Sequence, residues 1–457
     1  MAFNFSRLIL VLVGAVGIGG CVTAPGDPQG VETVAFPGAE GYGKFARGGR
    51  GGRVIKVTNL EDSGPGSLRQ AVVGQGPRTV IFEVSGNIDL ERDLDIHRGQ
   101  LTIAGQTAPG DGITLRGYGV NVYADDVIIR YIRVRPGDQA GVETDAISIF
   151  SGANIILDHC STSWATDETL SISPNKRDAI RSIDNVTVQW SVIAESLNNS
   201  VHSKGAHGYG TLMRGSGGAR YTLHHNLWAH HGARMPRPGN YVDRHADPVG
   251  PLFDVRNNVF YNWGGKYSGY NADTESVSRY SFVGNHYYTG PSSQAAKAFD
   301  ESNSYASLYF ADNFMNGSPV TDAPSVVSLP PGGSLAERDF NHGYTLPASS
   351  PAVMERILDF AGASLSRDAV DERIVGDVRG RTGGIIDKVS DTPGWPVLET
   401  LPAPVDSDGD GMPDDWERQA GLDPQNEDDG PLDHDNDGYT NLEEYLNSLV
   451  PAEHYQY

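Results

Sequence analysis

Short stretches of alternating apolar and polar residues recur from about Phe36 to Gly317. They include NIILDHCSTSW (154–164), NVTVQWSVIAES (185–196), YTLHHNLWAHH (221–231), LFDVRNNVFYNW (252–263), YSFVGNHYYTG (280–290) and LYFADNFMNG (308–317). Each has a period-two run, a polar pair and a second apolar run, which predicts two short strands joined by a tight bend. Aligning the units superposes Ile132, Cys160, Ser191, Asn226, Asn258, Asn285 and Asn313, at spacings of 28, 31, 35, 32, 27 and 28 residues. An uneven repeat near thirty, built from short strands, predicts an all-β parallel β-helix with one coil per unit. Asparagine at the recurring position suits an inward ladder in which side-chain amides satisfy one another from coil to coil. A propeller blade needs more strand per unit than these segments hold.

Outside the repeat the pattern changes. SPAVMERILDFAGA (350–363) has the spacing of one amphipathic helix ending near Gly362, and DERIVGDVRGRTGGIID is expected to return along the outside of the coils. PGWPVLETLPAP (393–404) is a proline-punctuated linker. DSDGDGMPDDWE (406–417) puts Asp406, Asp408, Asp410, Asp414 and Glu417 at positions 1, 3, 5, 9 and 12, with Gly411 at position 6. DHDNDGYTNLEE (433–444) does the same with Asp433, Asp435, Asp437, Asn441 and Glu444, and Gly438 at position 6. Oxygen ligands at these offsets, each loop followed by a short helix, suit Ca2+ in an EF-hand-like loop. The tail is similar to dockerin-type and related loop–helix calcium repeats, which implies either a protein partner for the repeats or a calcium-stabilised stalk or cap.

At the other end, Arg7 precedes the apolar run LILVLVGAV, which is too short for a lasting membrane span, and the run closes on IGGC. The string resembles a bacterial lipobox, which implies cleavage before Cys21, lipidation of its thiol and an anchor in the outer membrane or at the cell surface; ordinary secretion with a leftover thiol is the alternative. The expected organisation is a signal peptide over 1–20, a tether over 21–35, the β-helix over 36–345, a returning helix and linker over 346–400, and the calcium repeats over 405–450. Charge sharpens this division. Of a net −23, −15 falls after residue 400, where Arg418 is the one base. That excess argues against nucleic acid as a partner. With Cys21 lipidated, Cys160 would be the remaining thiol, which leaves no intramolecular disulfide.

Candidate chemistry centres on HHGARMPRP (230–238), where Arg234 and Arg237 flank Pro236. Equivalent positions in successive coils lie about 4.8 Å apart. Counting from the aligned positions puts Asp167 and Glu168 two coils before Arg234, with Glu143 and Asp145 on a longer turn. An acidic patch is therefore expected roughly 10 Å from Arg234.

VETDAI (142–147), LDHCSTSWATDE (157–168) and HHNLWAHHGARMPRP (224–238) together resemble pectate lyases of polysaccharide lyase family 1, and FPGAEGYG…VTNLEDSGPGSLRQA (36–71) resembles their N-terminal region. The resemblance covers roughly residues 36–320. It implies a right-handed β-helix with an external groove, and polygalacturonate cut by β-elimination. Arg234 matches the family's base; Glu143, Asp145 and Asp167 match calcium ligands. Two positions depart from the family. Ser171 stands where another acid is common, so either Glu168 substitutes or the resting calcium site is incomplete. Gly239 stands where a second arginine is common, with Arg237 as its substitute. Lys204 and His207 are candidates for the substrate carboxylate. Asp158 with His159 reads as a strand-end hydrogen-bonded pair, His224 and His225 as structural, and Trp164 and Trp228 as packing. A pectin lyase and a non-catalytic pectin-binding surface protein are the alternatives.

Overall fold

The computed structural model describes residues 32–175, 183–341 and 351–454. The signal peptide, Cys21 and most of the tether lie outside the described residues. From Thr33 onward the chain forms one unit, and its centre is the expected parallel β-helix. Two ten-stranded sheets and a six-stranded sheet, continued by a three-stranded one, run the length of the coils. One coil comprises Gly152–Asp158 in the first sheet, Ser161–Ser163 in the second and Glu168–Ile172 in the third. The next repeats it with Ile183–Gln189, Val192–Ala194 and Tyr209–Arg214.

The alternation in sequence is the alternation between core and outside. In the first sheet Leu157, Val188, Leu223, Val255 and Phe282 share one register row and are buried in the central core. The inward polar ladder is present as well. Ser191 N donates to Asn226 Oδ1 at 2.8 Å, Asn226 Nδ2 to Asn258 Oδ1 at 3.1 Å, Asn258 Nδ2 to Asn285 Oδ1 at 3.0 Å and Asn285 Nδ2 to Asn313 Oδ1 at 3.1 Å.

The recurring polar pair marks the bend between the first and second sheets. Tyr131, His159, Trp190, His225 and Asn257 all occupy it with φ near +50°. Neighbouring rings there stack along the axis, with centroids 4.8 Å apart for Tyr131–His159 and 4.5 Å for Trp190–His225. The Asp-His pair belongs to this corner. His159 Nδ1 donates to Asp158 at 2.9 Å, and Arg130 pairs with the other carboxylate oxygen at 2.9 Å, all buried. His224 and His225 are likewise buried, as are Trp164 and Trp228.

Two outer faces of the coils are roofed. On the first sheet, Gly43 N donates to Thr187 Oγ1 at 2.8 Å and Gly49 N to Thr102 Oγ1 at 2.9 Å. Glycine is required at 43 because a Cβ would stand 2.3 Å from Ile155 O. The second sheet is covered by two helices where one was expected. Pro351–Phe360 buries Met354, Ile357 and Leu358, and Ala369–Gly380 buries Ile374, Val375 and Val378 against Val192, Leu227 and Val259. The second helix escaped the sequence reading because its apolar stripe is interrupted by charges that are themselves paired inward. Asp371 accepts from the buried Arg135 at 2.7 Å, and Arg373 pairs with Glu195 at 2.5 Å.

The linker 393–404 is tied down rather than free: Leu401 N donates to Pro109 O at 2.9 Å and Glu399 N to Asp111 Oδ2 at 2.7 Å. It leads into the tail. There Met412, Leu442, Tyr445 and Leu446 form a small core with Ile81 and Ala104 of the first sheet. With these two roofs in place, the third sheet is the face left for a groove.

Candidate active site

Along the third sheet one register row runs Asp95, Asn121, Ser148, Ser171, Leu212, Arg237. The loops that enter this sheet carry the chemistry. Arg234 has φ +61°, a left-handed conformation that costs a non-glycine residue about 1 kcal/mol or more. Its neighbours hold it there: Thr211 N donates to Arg234 O at 2.6 Å, and Met235 N to Ser268 O at 2.9 Å. Met235, fully buried, is joined to Pro236 by a cis peptide bond.

The guanidinium of Arg234 lies over the Tyr209 ring at 4.0 Å, donates from Nε to Tyr270 Oη at 3.4 Å and forms an ion pair with Glu168. This corrects the expected separation of roughly 10 Å between arginine and acid. The backbones are two coils apart, with Tyr209 in register between Glu168 and Ala233. Two long side chains close the gap above it.

Asp145, Asp167 and Glu168 bring carboxylate oxygens within 4.8 Å of one another. Asp145 accepts from Ser148 Oγ at 2.6 Å and from Glu168 N at 2.9 Å, and the Ser171 hydroxyl also hydrogen-bonds it. Ser171 therefore supports a ligand instead of being one. Burial, then the charge of Asp167, pushes the Asp145 carboxyl up to about 7. Oxygen donors crowded in this way suit a hard cation. Glu143 stands at the rim, 41% exposed, and accepts from Ser203 N at 2.7 Å.

Sequence reasoning missed His202. Its Nε2 lies 3.4 Å from Asp167 and 3.6 Å from Glu143, while its Nδ1 accepts from Lys204 N at 3.1 Å. That backbone donor fixes the proton of the neutral ring on Nε2, so His202 presents a proton to the acids rather than a lone pair to a metal. His207 stacks on His202 with centroids 3.8 Å apart, and its Nε2 lies 3.1 Å from Asp167. Burial holds its pKa below the ordinary value. His207 is thus engaged with a candidate ligand, Asp167. Lys204 is exposed on the same loop; hydrogen bonds from Ser203 hold the pKa of Glu143 below its ordinary value, and the charges of His202 and Lys204 add to this. The pairing of His202 with Asp167 was hidden because His202 sits in the irregular loop 195–208, between the strands Val192–Ala194 and Tyr209–Arg214, where no repeat position can be counted.

Arg237 lies over Tyr270 at 5.3 Å and 3.9 Å from Asp273. At Gly239 a Cβ would fall 1.5 Å from Arg214 Nη1, so the Arg214 guanidinium, paired with Asp273 at 2.7 Å, fills that space. Arg214 is a second residue that the sequence reading missed.

In the tail, Asp406, Asp408 and Asp410 cluster, as do Asp433, Asp435 and Asp437. Glu417 converges on Asp410, and Glu444 is raised in pKa by burial and then by Asp435 and Asp437. Asp414 and Asn441, at position 9 of the two loops, hydrogen-bond back within them. Asp414 accepts from Ser407 N at 2.8 Å and Asn441 from His434 N at 3.2 Å. In both loops position 9 closes the turn on position 2, which leaves that side chain turned to the backbone.

A cation placed beside a cluster of carboxylates, on the open face of a β-helix, can stabilise negative charge that develops on a bound group. No family model matches the chain. Its relatives include "Probable pectate lyase C" of Aspergillus flavus, 39% identical over 433 residues that cover 92% of this chain and 94% of that protein. The protein of the same name from Aspergillus terreus is 36% identical over 462 residues, covering 98% of this chain and 100% of that protein. Among solved structures, Jun a 1, the major allergen from cedar pollen, has a TM-score of 0.51 at 17% identity, covering 70% of this chain and 92% of that one. A pectate lyase bound to a hexasaccharide has a TM-score of 0.50 at 16% identity, covering 74% and 99%. These two show the fold alone. The chain belongs to the pectate lyase family and is a polysaccharide lyase.

Proposed function

We propose that the groove on the third sheet binds polygalacturonate and cleaves it by calcium-assisted β-elimination, leaving unsaturated oligogalacturonides. The observation that carries this reading is Arg234, held in a left-handed conformation against the Asp145–Asp167–Glu168 cluster. Calcium, when bound, draws charge from the C6 carboxylate and eases loss of the C5 proton. Asp145, Asp167 and Glu168 would hold it, with Glu143 at the rim. Arg234 meets the C5 position either as base or as the charged partner of the enolate. Arg237 and Lys204 would bind neighbouring carboxylates of the polymer.

Incubation with polygalacturonate and calcium should produce the ultraviolet absorbance of unsaturated ends, and chelation should abolish it. Reducing ends without that absorbance would reject elimination.

The tail loops are read as EF-hand-like calcium sites. The apolar side of the tail packs on Ile81 and Ala104, which favours a cap over a docking module for another protein. Export, and anchoring in the outer membrane through lipidated Cys21, rest on the IGGC string. Cys21→Ser should release the protein from membranes on fractionation. No helix among the described residues is long and apolar enough to cross a membrane.

A further inference from the structure

The first tail loop contains buried oxygens that its own twelve residues do not satisfy. Both carboxylate oxygens of Glu417, together with Asp410 Oδ2, Asp408 Oδ2 and Asp429 Oδ1, are buried and make no hydrogen bond. Glu417 is 0% exposed, Asp410 7% and Asp429 6%. Oxygens of these three lie within 4.8 Å of one another, and Asp410 is as close to Asp406 and Asp408. Met412 N satisfies the other oxygen of Asp410 at 2.9 Å, so the oxygens left without a donor are the ones that converge, and burying them unpaired is costly. A dication among them removes that cost.

Asp429 belongs to neither loop. It lies in the turn after the first helix, and its carbonyl accepts from Asn441 Nδ2 at 2.8 Å and Leu432 N at 3.0 Å. Asn441 of the second loop thereby holds the Asp429 carboxylate over the first.

The same loop is fastened to the β-helix. Asp406 pairs with Lys56 Nζ at 2.7 Å. Gly411, at φ +98°, lies so close to the first strand that a Cβ would meet Val54 Cγ1 at 2.9 Å. Met412 next to it enters the small core with Ile81 and Ala104. The tail helix Asn441–Ser448 adds an ion pair from Glu443 to Arg50 at 2.9 Å.

We infer that one calcium ion is coordinated by Asp406, Asp408, Asp410, Glu417 and Asp429, and that filling this site clasps the tail onto the outer face of strands Arg53–Val57 and Arg78–Phe82. This rests on the reading of the tail as calcium-binding and adds to it a ligand from outside the loop and a mechanical role. The Asp433–Asp435–Asp437 cluster is exposed, so the two sites are unequal and the first is the tighter.

The test uses the full chain, calcium chloride as the only added ligand, and no polygalacturonate. Asp429→Asn is compared with Asp428→Asn, which removes the same charge from an exposed neighbour. Calorimetry should show two classes of calcium site in the parent. Asp429→Asn should weaken the tighter class on the order of 10-fold or more and spare the other, while Asp428→Asn leaves both. Hydrogen exchange at 53–57 and 78–82 should slow when calcium is added to the parent and not in Asp429→Asn. Glu417→Gln, which keeps the shape of the side chain, should repeat the result, and retained cleavage of polygalacturonate certifies the fold of each variant. Equal affinities in Asp429→Asn and Asp428→Asn would remove Asp429 from the site. Calcium binding without slower exchange in those strands would overturn the clasp. A parent that binds no calcium without substrate would overturn the inference and the calcium reading of the tail together, while the groove reading, measured by ultraviolet absorbance, would stand.

Discussion

Arg234 and Glu168 share an ion pair that the candidate chemistry must break or use, since Glu168 also belongs to the cluster with Asp145 and Asp167. Replacing Arg234 with lysine keeps the charge and loses the planar fork that meets Glu168, Tyr209 and Tyr270 at once. Arg234→Lys should cost on the order of 10²-fold or more in kcat on polygalacturonate, with an unchanged melting temperature. A rate within a few-fold of the parent would take Arg234 out of the chemistry. Asp145 sets the pH behaviour. With its carboxyl raised to about 7, it is protonated, and a poor ligand, in mildly acidic solution. The calcium concentration for half-maximal rate should therefore climb as pH falls from about 8 to about 6. In Asp145→Asn that dependence should flatten and the calcium requirement rise at every pH. The acids and the arginine were legible in the sequence as a motif. Their direct contact was not, because side-chain reach is invisible to a count of coils. His202 was not legible either, since its partner Asp167 is reached through a loop.

The two outer helices show what an element needs in order to be read. Pro351–Phe360 carries an unbroken apolar stripe, and its existence follows from that stripe alone. Ala369–Gly380 begins at an ordinary cap, with Asp368 accepting from Asp371 N, yet its buried face includes Asp371. Its partner, Arg135, lies more than two hundred residues earlier. Local periodicity cannot register a charge whose counter-ion comes from another coil. Packing of the first helix can be tested directly. Ile357 and Leu358 are fully buried against the second sheet, so Ile357→Ala should destabilise by about 2–5 kcal/mol in a denaturant titration. The groove lies on a different sheet, so the KM for polygalacturonate should stay where it was in the parent. In the tail, the sequence spacing placed the acids of each loop together, and position 9 closes the turn on position 2 through Asp414 in one loop and Asn441 in the other.

Across the whole molecule, buried histidines set the acid limit. Burial pushes His231 down to about 4, His224 to about 3 and His454 to about 4. An unfolded histidine titrates near 6.5, so between that value and about 4 the unfolded chain binds more protons than the native one. Stability from these groups is full above about pH 6.5 and falls as pH drops toward about 4. The carboxyls of Asp145, Glu301, Asp410 and Glu417, raised by burial to about 7 or 8, act in the opposite sense over the same window. The test is therefore a difference: the melting temperature of the parent minus that of His231→Gln should decline as pH falls from about 6.5 to about 4. A difference that does not change with pH would mean that His231 takes up its proton as readily in the native state as in the unfolded chain.

The asparagine ladder has one further consequence, which lies in its direction. Each coil's donors, the backbone N–H and the side-chain Nδ2, are met by the Oδ1 of the coil that follows: Ser191 by Asn226, Asn226 by Asn258, Asn258 by Asn285. A stack assembled only part-way therefore ends, at its C-terminal edge, on amide hydrogens that nothing yet accepts. That edge is a template. It penalises a stop and rewards one addition, a segment that delivers an asparagine carbonyl at the right step. The ladder therefore has a direction, and each added coil extends it by bringing one more asparagine carbonyl to the step before, as Asn313 does for Asn285.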